Sequence, residues 1–130
     1  MAYEFSNYSV KVTLVAAADL SAKQYQFVKL DANGKAAAIA AITDVPIGVL
    51  QNAPTSGQEA EVLITGGTKL VASEAITLPA FLSVSSAGKA DKIATTDTTQ
   101  YVVAQAVTAA GAADEVFTAV VNCANPTRAN

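Results

Sequence analysis

Two glutamates two positions apart, Glu59 and Glu61, are the first residues of this 130-residue chain that could do chemistry. Side chains at i and i+2 of a strand point to one face, and a carboxylate pair so placed is the equipment of general acid–base catalysis and glycoside hydrolysis. The sequence supplies no second pair and no aromatic platform beside them, so a solvated outer strand face is the stronger reading. Asp31 and Asn33 next to Gly34 offer oxygen ligands to calcium, but the twelve-residue spacing of a calcium loop is absent, and the same three residues form turns. Cys123 stands alone and the chain has no histidine. That removes both an internal disulfide and the thiolate–imidazole arrangement of a cysteine nucleophile, leaving Cys123 as a small apolar residue near the end of the last strand. Gly66-Gly67 lacks the spaced glycines and the Lys-Ser/Thr of a phosphate loop. No residue set calls for a metal or a cofactor, and no enzymatic activity is expected.

Composition excludes further classes. Eight basic and eleven acidic residues give a net charge of −3, without the Lys/Arg patch that phosphate neutralisation requires. The lone arginine, Arg128, lies near the end of the chain. MAYEFSNYSVKV has neither the basic nor the apolar region of a signal peptide, and no window approaches the roughly 20 apolar residues that span a bilayer. The expectation is a protein made in a cytoplasm, with no nucleic-acid and no membrane partner. Apolar residues at 52% and charged ones at 15% exclude a disordered chain, and a single domain of this size buries about two thirds of the surface its unfolded chain exposes. A surface rich in alanine and poor in lysine suits packing against partners.

Stepping along the chain, the dominant period is two. Val10, Val12 and Leu14 alternate with Ser9, Lys11 and Thr13, as in a strand with one buried face. Residues 25–30 make a second strand, followed by an Asn33-Gly34 hairpin signal. The alanine-rich stretch 35–42 fits either a strand or a helical turn, alanine being the best helix former. Further strands are predicted at 47–51, at 60–64, where Ala60, Val62 and Ile64 alternate with their neighbours, and at 68–72 after a turn at Gly66-Gly67. Others follow at 81–84, 101–107 and 115–121, separated by turns rich in Gly, Ser and Thr. Many short strands with frequent turns indicate a sandwich or barrel.

Part of the sequence repeats. Gly34 and Gly88 are 54 positions apart (88 − 34), as are Gly57 and Gly111 (111 − 57). At this offset Phe27 meets Phe81, Lys35 meets Lys89, Ile39 meets Ile93, Val49 meets Val103, Gln51 meets Gln105 and Val62 meets Val116. Turn glycines and core valines are what a duplicated unit retains, the first fixed by φ and the second by burial; alanine-rich composition alone can also generate such matches. The reading is an all-β domain, barrel- or sandwich-like, with a pseudo-twofold relating two similar strand-turn-strand units at about 27–69 and 81–123.

Tyr3, Phe5 and Tyr8 place three of the eight aromatic residues in the first eight positions. Aromatics are enriched at interfaces, and an extended arm can add a strand to a neighbour's sheet; covering the domain's own open end would use the same rings. Together with Val10 and Val12 they form the candidate partner-contact set. The expected division is 1–15 for an N-terminal arm and first strand, 16–124 for a single β domain, and 125–130 for a polar surface tail.

The run GVLQNAPTSGQEAEVLITGGTKLVAS, followed by FLSVSSAGKADKI and VVAQAVTAAGAADEVFTAVVN, resembles the small capsid cement or decoration proteins of tailed bacteriophages. The resemblance lies in the order of a Gly-Val-x-Gln-like strand, a glycine turn, an alternating valine strand and a second such unit, and it covers about 27–122. It departs in the tyrosine-bearing N-terminal segment. What it implies is a β domain that assembles as a homotrimer on the outer surface of an expanded head, within the virion, and clamps neighbouring major capsid protein subunits. A receptor- or glycan-binding β domain of a tail, fibre or surface appendage is the alternative, although the loops PTSG, SSAGK, TTDTT and TAAGA are small and carry no aromatic cluster.

Overall fold

Short alternating stretches punctuated by glycine give a molecule built of strands. The computed structural model describes residues 9–129, and among these none is helical. The strands are β1 (Val10–Val15), β2 (Phe27–Leu30), β3 (Ala36–Ala38), β4 (Gly48–Leu50), β5 (Glu59–Val71), β6 (Phe81–Val84), β7 (Ala90–Lys92), β8 (Tyr101–Val102), β9 (Ala104–Ala106), β10 (Val116–Asn122) and β11 (Thr127–Arg128). Nine form one antiparallel sheet in the order β3-β2-β4-β5-β10-β9-β6-β7, with β1 added on β5. The sheet curls into half a barrel, while β8 and β11 make a separate two-stranded ribbon.

Several sequence readings resolve here. The alanine stretch is a strand: Ala36–Ala38 pairs with β2, its propensity overridden by the preceding turn and by burial of Ala36. That turn is not a two-residue Asn-Gly hairpin. Asp31 N–H donates to Lys35 O, the Asp31 carboxylate accepts from the Asn33 and Lys35 amides, and only Gly34 has positive φ, at 75°. Gly66-Gly67, read as a turn, lies inside β5, which runs unbroken for 13 residues. The glycines answer a close approach instead: Gly66 has φ 137°, and a Cβ there would stand 2.9 Å from Ser9 Cβ. The predicted strand 101–107 is interrupted, because Tyr101–Val102 turns aside to pair with Thr127–Arg128. The segment read as a polar tail is thereby docked, with Ala129 buried and its N–H donating to Gln100 O.

The ladders repeat. β2–β3 pairs Val28 with Ala38 and Leu30 with Ala36, and β6–β7 pairs Leu82 with Lys92 and Val84 with Ala90, a shift of 54 (82 − 28). Phe27 faces Val49 as Phe81 faces Gln105, a shift of 56 for the second member (105 − 49). Val49 faces Leu63 as Gln105 faces Val120, a shift of 57 (120 − 63). Leu14 faces Ala60 as Leu70 faces Phe117. The loops follow suit: Leu20 N–H donates to Pro54 O, and Ile76 N–H to Ala110 O.

Unit one is therefore β1 to β4 with the first half of β5, and unit two is the second half of β5 with β6, β7, β9 and β10. The constant offset of 54 holds only for β2 and β3. The link from β7 to β9, which carries β8, is two residues longer than that from β3 to β4, and the turn before β10 is one residue longer than its counterpart. Val49 accordingly corresponds to Gln105 rather than Val103, and Val62 to Ala119 rather than Val116.

Burial follows the units. The inner face of unit one packs Ala16, Leu20, Val28, Leu50, Ala60 and Val62 into one cluster. The corresponding residues of unit two, Ala72, Ile76, Leu82, Ala106, Phe117 and Ala119, lie in a second and larger one. Gly48 holds β4 against β5 so closely that a Cβ would meet Leu63 O and come within 2.6 Å of Val62 Cγ1. Gly48→Ala should therefore lower unfolding stability by about 1–3 kcal/mol. Gly57 has φ 80° with open space around it, so Gly57→Ala should cost only the left-handed penalty of about 1–2 kcal/mol. Urea midpoints of the two variants check both, and the Gly48→Ala loss should be accompanied by a shift of β4 that the Gly57→Ala loss does not show.

Candidate interaction surfaces

The residues first suspected of chemistry are dispersed. Glu59 and Glu61 lie exposed on β5, and the Glu61 carboxylate is 3.5 Å from Lys11 Nζ on β1, with both side chains about half exposed. A pair so hydrated contributes at most about 1 kcal/mol. Asp31 uses its carboxylate to brace a turn. Among the described residues no three His, Cys, Asp or Glu side chains gather as a metal set would. Cys123 is buried among Val121, Ala104 and their neighbours, its N–H donating to Ile64 O, and burial pushes its thiol up to about 12. No helix among the described residues is long and apolar enough to cross a membrane.

The partner-contact set is divided by the fold. Tyr3, Phe5 and Tyr8 lie outside the described residues. Val12 faces inward and packs against the unit-one cluster, whereas Val10, at the same parity, is 56% exposed. A register shift between Val10 and Lys11 causes this, since Val10 pairs with Thr65 and Lys11 with Leu63. Such a bulge places one extra residue on β5 and rotates the strand end. β1 forms a ladder with β5 alone among the named strands, and a single parallel bridge from Ala16 to Ala36 of β3 closes the far end of its other edge. The earlier part of that edge is therefore the part that offers backbone groups to a partner. Val10 and Val15 flank that edge in solvent.

A second apolar surface lies on unit two. Phe81, Gln105 and Val120 stand abreast on β6, β9 and β10. Phe81 is 58% exposed and Val120 48% exposed, with Val116 exposed further along β10. An open groove of about 470 Å³ runs along one side of Phe81, rimmed by Lys92, Asp97 and Arg128. A smaller one, about 270 Å³, lies between Phe81, Val102 and Val120. The β8–β11 ribbon walls the grooves, and Arg128 fastens it by donating from Nη2 to Tyr101 Oη at 2.9 Å with its guanidinium over the ring. Sequence reasoning missed this face because a phenylalanine at a strand start reads as core.

With the architecture established, it can be compared with known proteins. No family model matches the chain, and no curated protein matches it. Among solved structures, the N base of the head fiber gp8.5 of bacteriophage phi29 matches with a TM-score of 0.67, at 18% identity, over 89% of this chain and 96% of that one. The chain shares its fold with a phage head-fibre base. Coverage of both chains is close to complete, so the similarity takes in both units and is not confined to one hairpin. At this identity what is held in common is the architecture.

Burial makes Cys123 inert in the native protein. A thiol reagent at pH 8 should release no signal from the folded chain and one equivalent in urea. The raised thiol pKa favours the neutral form in the folded state. Its contribution to stability is thus complete below the ordinary thiol range near 9 and is lost as pH rises towards 12. Urea titrations at pH 8 and pH 11 in Cys123→Ala and parent should differ by less at the higher pH.

Proposed function

We propose that this chain is a structural protein of a bacteriophage head, carried on the outer surface of the capsid, where it self-associates as a homotrimer and holds neighbouring major capsid protein subunits together. The observation that supports this reading is the nearly co-extensive fold match to a phage head-fibre base. The cement-protein resemblance of the sequence points the same way. A ligand that binds only the expanded lattice stabilises it in proportion to the logarithm of its concentration over Kd, by about 2.7 kcal/mol at a hundredfold excess. Three linked copies gain avidity beyond any single contact. On this reading the edge of β1 and the aromatic residues before it meet the capsid, strand against strand. A role in receptor or glycan binding would instead use the groove beside Phe81, where an aromatic ring lies next to Lys92, Asp97 and Arg128.

The protein should co-sediment with expanded heads that lack it and raise the temperature at which those heads rupture. Deleting residues 1–8 should weaken co-sedimentation about tenfold or more, as expected when interface anchors are removed, with the thermal unfolding of the isolated domain unchanged. Undiminished binding by the truncated chain would remove the N-terminal segment from the account. Failure of the full chain to bind heads, together with consistent hits on a glycan array, would replace the capsid role with the receptor one.

A further inference from the structure

Among the described residues, the contact of a turn of one unit with the outer row of the other is made in one direction only. On unit one, Phe27, Val49 and Leu63 stand abreast and are buried in the larger cluster, together with the core of unit two. Part of their cover is the turn at 85–89: Gly88 O accepts from Phe27 N–H at 2.8 Å, and a Cβ at Gly88 would lie 3.5 Å from Ile39 Cβ. The corresponding row of unit two, Phe81, Gln105 and Val120, is exposed. The turn of unit one that corresponds to 85–89 is 31–35, with the same hydrogen bonds. Asp31 N–H donates to Lys35 O and Gly34 N–H to Asp31 O, as Ser85 N–H donates to Lys89 O and Gly88 N–H to Ser85 O. Yet Gly34 has nothing within 4 Å of its Cβ position. A twofold would have made these contacts reciprocal. Among the described residues, each molecule instead carries one occupied and one vacant copy of the same receiving face, and one engaged and one free copy of the same turn.

We infer that a second copy of this chain docks its 31–35 turn on the Phe81–Val120 face, repeating between molecules the contact that unit two makes on unit one. The backbone is prepared for it. Phe81 O accepts from Ile93 N–H, and Phe81 N–H, the counterpart of the Phe27 N–H that donates to Gly88 O, is the donor that Gly34 O would meet if the internal contact were repeated. Phe81 and Val120 are the large apolar side chains left in solvent on this row, and burying such residues is the principal driving force of association. The contact is heterologous, so its repetition generates a closed ring or an open filament according to the rotation it imposes. A ring of three is the form that agrees with a homotrimer. The inference deepens the self-association part of the proposed function and is independent of its capsid part.

Three proteins test it by sedimentation equilibrium: the parent, Phe81→Glu/Val120→Glu on the face, and Ala32→Arg/Asn33→Arg on the turn. All substituted positions are exposed, and circular dichroism with a urea midpoint verifies folding. The parent should associate, and each double variant should associate at least about tenfold more weakly, as loss of central interface anchors does. An equimolar mixture of the two variants should form a one-to-one dimer, because the face variant brings an intact turn and the turn variant an intact face. A parent that stays monomeric, a face variant that associates like the parent, or a mixture that stays monomeric would each overturn the proposal. So would a face variant that keeps its self-association but loses binding to heads, which would assign the face to the capsid. Parent association with no head binding would sustain this inference while removing the capsid reading.

Discussion

Backbone hydrogen bonding along β5 is the constraint on which the rest of the structure depends. Its first half pairs with β1 and β4, and its second half with β10. Because one strand closes the first unit and opens the second, the registers of both are set by a single run of peptide groups. A slip of one residue would exchange the buried and exposed sets along the sheet, Val62 for Glu61 in one unit and Phe117 for Val116 in the other. The glycine pair at its midpoint lets the strand pass beneath Ser9 without breaking the ladder.

Duplication then explains the division of the core. Equivalent inner faces make two clusters of unequal size, the larger swollen by the outer row of unit one. The substitution pattern records this. Phe27, Val49 and Leu63, covered by unit two, are all apolar, whereas the matching row of unit two has a glutamine at 105 between its two apolar members. Gly88, wedged against Phe27 O and Ile39, has its counterpart Gly34 in open space. Turns with the same backbone hydrogen bonds and the same closing Gly-Lys thus occupy different environments, set by contacts across the unit boundary.

How far the sequence could be read depended on whether the determinant was local. Alternation placed β1 within a residue, since the period of a half-buried strand is written in neighbouring side chains, and flanking turn signals placed β2 and β6 within two. Two glycines in a row were read as a turn because the approach of Ser9, 57 positions away (66 − 9), leaves no local trace. The repeat was visible through Phe27, Lys35 and Ile39, where loop lengths agree. It lost register at Val49, where the longer link carrying β8 displaces the second copy. The surface at Phe81 and Val120 was hidden for the same reason: a ring in an alternating strand announces burial, and only the vacancy of the neighbouring position exposes it. Of the contact set proposed from composition, Val10 and Val12 proved to face opposite ways because of a bulge that no spacing encodes.

One residue of β5 has two partners: Thr65 pairs with Val10 at the start of β1 and with Asn122 at the end of β10. The polypeptide therefore enters and leaves the sheet on opposite sides of the same residue, across two interstrand spacings of about 4.8 Å, a gap that three extended residues can bridge. Apart from the β8–β11 ribbon, its path is a nearly closed loop. What the architecture prescribes is the cyclic order of its strands, and the linear order in which they are synthesised is one of several that would build the same sheet.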